Sequence, residues 1–260
     1  MDRFAAVDGG LLAAGIAYNA VLALIPVGLV ATGLAGLVLG DPASRIELVR
    51  SIATVLPPLS GIVDDIVRGL ATASPSLSVV GLILAAWGSS RLFASLESAL
   101  AQLDVAAPRR SLVQRTARRL GSVAFLAAVV LGALIVTPTI AIALEVNGAG
   151  PARPLLDALL AFLPPLVGGL ALAAIYRIVP PVRPTWRAVR LPAVVGGLAI
   201  VAVTRIFVFV APRVFGANLV YGTLGAILVG LTWLDLVFTI VLIGAAWVRE
   251  RVADVEAAVA

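Results

Sequence analysis

The sequence predicts an all-α polytopic membrane bundle of six transmembrane helices, and three observations carry that reading. Apolar residues make up 61% of the chain and the mean hydropathy is +1.11, well above the roughly 45–50% apolar content of soluble domains. They fall in blocks of about twenty, the length that crosses a hydrocarbon core about 30 Å thick. Short arginine-bearing loops separate the blocks, where a soluble core would interleave polar faces throughout.

Taken in order, span one covers about residues 11–39 and holds Pro26, a kink that neighbouring helices can accommodate. The N-terminal stretch MDRFAAVDGG lacks a positive segment with a cleavage site, so the first apolar run is kept as a span. Gly36 and Gly40 make a G-x-x-x-G, read as packing filler in a glycine-rich chain. Residues 44–71 differ. Leu48, Val49, Ile52, Val55 and Leu56 recur at helical spacing, and Ile62, Val63, Ile66, Val67 and Leu70 repeat the pattern after Pro57-Pro58. Two amphipathic helices lying at the interface are expected there, between spans one and two, with a lid over a cavity as the other reading.

Span two covers about 77–100 and carries Trp87-Gly88-Ser89-Ser90-Arg91; a linker with five arginines follows at 108–119. Span three is about 120–144, span four about 155–179 with Pro164-Pro165 inside it, and span five about 191–210 with Arg205. Span six, about 223–248, holds Asp235 near its middle and leads to a charged tail. Six spans put both termini on one side. That side collects twelve arginines, in groups of one, five, four and two, against three, one and one in the opposite loops. The bias predicts both termini on the cytoplasmic side and accounts for the pI of about 10.9 without nucleic acid as a partner.

Two charges fall at membrane depth. With a rise of about 1.5 Å per residue, Arg205 lies about 18–21 Å from the inner edge and Asp235 about 13 Å from it. A charge there costs roughly 2.5–3.5 kcal/mol on insertion scales. Antiparallel neighbours joined by a short loop could bring the two together, so an inward-facing Arg205–Asp235 ion pair is expected. It is either a register-setting pair or part of a polar cavity. Arg91 with Ser89 and Ser90 either snorkels to the inner surface or lines an opening toward it. Asn218 and Tyr221 are polar handles near the start of span six, read as interface anchors or, alternatively, cavity-lining groups.

Catalytic constellations are scarce. All 19 basic residues are arginine, and histidine and cysteine are absent. That removes imidazole bases, thiolate nucleophiles, lysine chemistry and the usual zinc ligands. No catalytic residue, metal site or cofactor is expected, and the chain is read as no enzyme.

The run Tyr176–Arg187 (YRIVPPVRPTWR) and the run Val220–Ala245 (VYGTLGAILVGLTWLDLVFTIVLIGA) resemble the YihY/virulence-factor BrkB family of bacterial inner-membrane proteins. The hallmarks matched are Y-R-x-x-P, Y-G-x-x-G-A, W-L and a closing G-A; AYNAVLALIP at 17–26 and WGSSR at 87–91 also sit where the family places similar segments. Members commonly carry Tyr after W-L, where this chain has Asp235, and close with G-A-E, where it has Ala246. The resemblance implies six spans with both termini inside. It also brings an old ribonuclease BN label, rejected here because RNA hydrolysis needs acid–base or metal groups that this sequence does not offer. The expected role is transport or handling of an amphiphilic envelope molecule, lipid or lipid-linked; the alternative is a non-transporting envelope scaffold.

Overall fold

The computed structural model describes residues 2–38, 76–103, 153–180, 184–215 and 222–257. Among them every regular element is an α-helix: α1 Asp2–Ala6, α2 Gly9–Val38, α3 Ser76–Gln102, α4 Arg153–Ile178, α5 Trp186–Phe215 and α6 Gly222–Ala257. Five of these coincide with expected spans one, two, four, five and six. The expected third span and the amphipathic pair at 44–71 lie outside the described residues. Helix α4 continues through Pro164 and Pro165.

Several helices outrun the apolar blocks that predict them. Hydropathy marks hydrocarbon depth, whereas the hydrogen-bonded backbone continues into the polar flanks. Helix α5 begins at Trp186, ahead of Arg187 and Arg190, and α6 runs on through Arg249-Glu250-Arg251.

The chain forms two compact units, one of residues 1–7, 99–202 and 240–260, the other of residues 8–98 and 203–239. In the first unit, glycines set the helix spacing. A Cβ on Gly197 of α5 would stand 2.6 Å from the Gly169 nitrogen and 2.9 Å from the Pro165 oxygen of α4. Both are backbone atoms, so α4 and α5 touch main chain to main chain, the small-residue contact used where lipid offers no hydrophobic drive. Leu172, Tyr176, Val189, Pro192 and Leu242 are almost wholly enclosed in the same unit.

The second unit centres on Ala17 and Ala20 of α2 against Trp233 and Leu234 of α6, with Leu92, Val203 and Phe207 packed around them. The alanines admit the bulky indole.

Two apolar stretches, Trp186–Val210 and Ile227–Asp254, are long enough to cross a bilayer. The most apolar part of the first is only 17% buried, against 39% for the second. A core helix of a soluble protein would be enclosed; α5 instead exposes Val194, Leu198, Ile206 and Phe209. Lipid is the solvent that suits such a surface.

Candidate functional site

In the second unit one side-chain hydrogen bond orients α6 against α5. Trp233 Nε1 donates to Thr204 Oγ1 at 3.1 Å, which sets that side of α6 against α5. Successive residues of a helix turn by about 100°, so Asp235, two positions past Trp233, lies about 200° round and away from α5. Its Oδ1 is enclosed and meets no donor among the described residues, although the residue as a whole is only half-buried. Arg205, next to Thr204, is exposed.

The structure therefore does not bring Arg205 and Asp235 together, and no ion pair joins them. The depth estimate considers one coordinate of a helix; the azimuth is the second, and it separates the two side chains. Arg205 faces outward from its unit rather than inward.

Arg91 is exposed as well, with its guanidinium carbon 5.0 Å from the centre of the Trp87 ring one turn earlier. Trp87 and Ser90 are also exposed, and Ser89 shares the same turn of α3. The pairing is a cation–π contact between two outward-facing side chains, and it gives the charge an aromatic neighbour without enclosing it. Asn218 and Tyr221 lie outside the described residues.

Several polar residues of this unit turn back onto their own helices. Asn19 Nδ2 donates to the Gly15 carbonyl at 2.9 Å, and Thr232 Oγ1 donates to the Leu228 carbonyl at 2.8 Å. Such back-bonding lets a polar side chain sit in an apolar helix without an outside partner. Asn19 Oδ1, like Asp235 Oδ1, is enclosed without a donor among the described residues.

The first unit holds an arrangement that the sequence reading did not single out. Tyr176 is buried on α4, and its hydroxyl donates to the Val241 carbonyl of α6 at 3.0 Å. The ring lies against Gly244: a Cβ there would come within 2.9 Å of Tyr176 Cζ and closer still to the hydroxyl. A Cβ on Gly196 would meet Leu172 Cδ1 at 2.6 Å. Tyr176 thus occupies a seat that only glycine leaves open. Beside it, Leu100, Leu103, Pro180, Val248 and the buried Arg249 line a narrow crevice of about 10 Å³, open on one side. At the start of α5, Arg177 Nη1 donates to the Pro184 carbonyl at 3.3 Å, and its guanidinium lies 4.4 Å from the centre of the exposed Trp186 ring. That contact staples the end of α4 to the start of α5.

The sequence profile of the virulence factor BrkB family matches residues 1–258. The chain belongs to the BrkB family. It is a membrane protein, as its family and its exposed apolar helices indicate. Nothing among curated proteins and nothing among solved structures matches it. In this BrkB-family chain, two pieces of the recognised pattern meet in space: Tyr176 of Y-R-x-x-P fills the seat left by Gly244 of the closing G-A. Trp233 of W-L is the indole that reaches Thr204. These motif residues serve helix packing. No three or more histidine, cysteine or carboxylate side chains cluster as a metal site among the described residues.

Proposed function

We propose that this BrkB-family protein is a six-span inner-membrane protein, a single integral domain with cytoplasmic termini, that handles or moves an anionic amphiphile of the envelope, lipid or lipid-linked. One observation carries the reading. The arginines at or near membrane depth, Arg91 and Arg205, stand on exposed surface beside exposed apolar side chains rather than in ion pairs inside the packing. Charges held only for register would be paired and enclosed; charges presented to lipid can engage the headgroups of lipid-like molecules. No role as a hydrolase is proposed, for want of a nucleophile–base pair.

The measurement is flux of a fluorescent anionic phospholipid in liposomes reconstituted with the purified protein. Flux above that of empty liposomes supports the reading, and equality with empty liposomes removes it. A second reading, a non-transporting envelope scaffold, draws on the dense packing of the first unit. Its glycine contacts and Tyr176 seat leave a crevice whose walls include neither Arg91 nor Arg205. The same flux measurement separates the two readings.

A further inference from the structure

The outer half of α5 carries Arg205, Phe209 and Arg213 at intervals of four residues, so they form one ridge along the helix. All three are exposed, and Ile206, Val208 and Val210 beside them are between 41% and 60% exposed. Arg213 lies over the Phe209 ring with its guanidinium carbon 3.5 Å from the ring centre, and it also donates to the Phe209 carbonyl. The ridge therefore presents two guanidinium groups on an apolar surface, one near the helix end and one about 12 Å deeper.

The choice of occupant follows from charge. Helix α5, from Trp186 to Phe215, contains no acidic residue. A second copy docked through this face about a two-fold axis would set cation against cation in a medium of low dielectric, a repulsive arrangement. Asp235 is turned away from α5. An anionic amphiphile fits both halves of the surface: a phosphate accepts hydrogen bonds from the planar guanidinium, and acyl chains cover Ile206, Phe209 and their neighbours.

We infer that the Arg205–Arg213 ridge is a binding site for the phosphate of an anionic phospholipid, drawn below the headgroup level toward Arg205. The site rests on the membrane-spanning reading and gives the proposed lipid handling a place on the molecule. Drawing a phosphate inward locally thins the bilayer, one of the ways a membrane relieves the cost of a buried arginine.

The test is retention of phosphatidylglycerol against phosphatidylcholine by the full-length protein in native mass spectrometry. The wild type retains phosphatidylglycerol about tenfold better, the scale of one charge-assisted hydrogen bond. Arg205→Leu loses that preference, Arg205→Lys keeps much of it, and all three proteins melt at similar temperatures. Equal preference in wild type and Arg205→Leu overturns the site. Competition by glycerol phosphate as strong as by the whole lipid also overturns it, since a free anion would then be the ligand. So does efficient disulfide cross-linking between copies carrying Ile206→Cys, because a second copy would then cover the face. Loss of flux with lipid preference intact sinks transport but not the site; flux that persists in the absence of any preference does the reverse.

Discussion

Asp235 shows how one side chain is settled by angle as much as by depth. Its carboxylate is half-buried, with one enclosed oxygen that meets no donor among the described residues. A polar atom in that position costs free energy unless some partner compensates. Asp235→Leu should therefore leave thermal stability in detergent unchanged or raise it by a few degrees. A fall of several degrees would reveal a partner that compensates the charge. Tyr176 and Gly244 make the opposite case, a pair whose atoms already touch. Gly244→Ala should destabilise by about 1–3 kcal/mol through overpacking, and Tyr176→Phe by about 0.5–1.5 kcal/mol through its lost hydrogen bond. Together they should cost less than the sum, because removing the hydroxyl clears the nearest clash; a double-mutant cycle on chemical unfolding reads that coupling. Strict additivity would mean that the ring does not fill the glycine seat.

At the scale of elements, glycines that look alike in the sequence differ in what they do. Gly197 faces the backbone of α4, whereas a Cβ on Gly168 would meet its nearest atoms at 3.6 and 3.8 Å, ordinary contact. Gly197→Ala should force α4 and α5 apart and lower the melting temperature sharply. Gly168→Ala should be neutral or mildly stabilising, since alanine is preferred in a helix by up to about 1 kcal/mol. Equal melting temperatures for the two variants would remove the close crossing. Sequence periodicity marked where the helices lie, because apolar blocks of bilayer length are a strong signal. It did not mark which glycines touch. The G-x-x-x-G at Gly36 and Gly40 stood out by spacing and runs outside the described residues; the close contact seen among the described residues pairs two adjacent-glycine steps from separate helices, Gly168-Gly169 and Gly196-Gly197. Nothing in one chain's spacing says which of its glycines will face each other.

For the whole molecule, helix class and family were legible from residues alone, and the polar sites were legible only as a set of candidates. Arg91 and Arg205 could be found by their depth; their outward aim could not, because the angular position of each helix depends on its neighbours. The helical wheel did contain half the answer: with Trp233 facing α5, Asp235 had to face away. Topology is the next quantity to measure, and the absence of cysteine makes it direct. A single cysteine placed at Ala149 should react with an impermeant maleimide on intact bacterial spheroplasts, and one at Ser111 only after the membrane is opened. Reaction of both from the same side would break the arrangement with both termini inside.

The Tyr176 seat has a consequence that reaches beyond this chain. Two positions 68 apart in the sequence share one small volume, so they cannot change independently among relatives. A family member with alanine in place of Gly244 should carry phenylalanine or a smaller residue in place of Tyr176, and one that keeps the tyrosine should keep the glycine. Paired substitution of that kind would mark the contact as an inherited joint of the family.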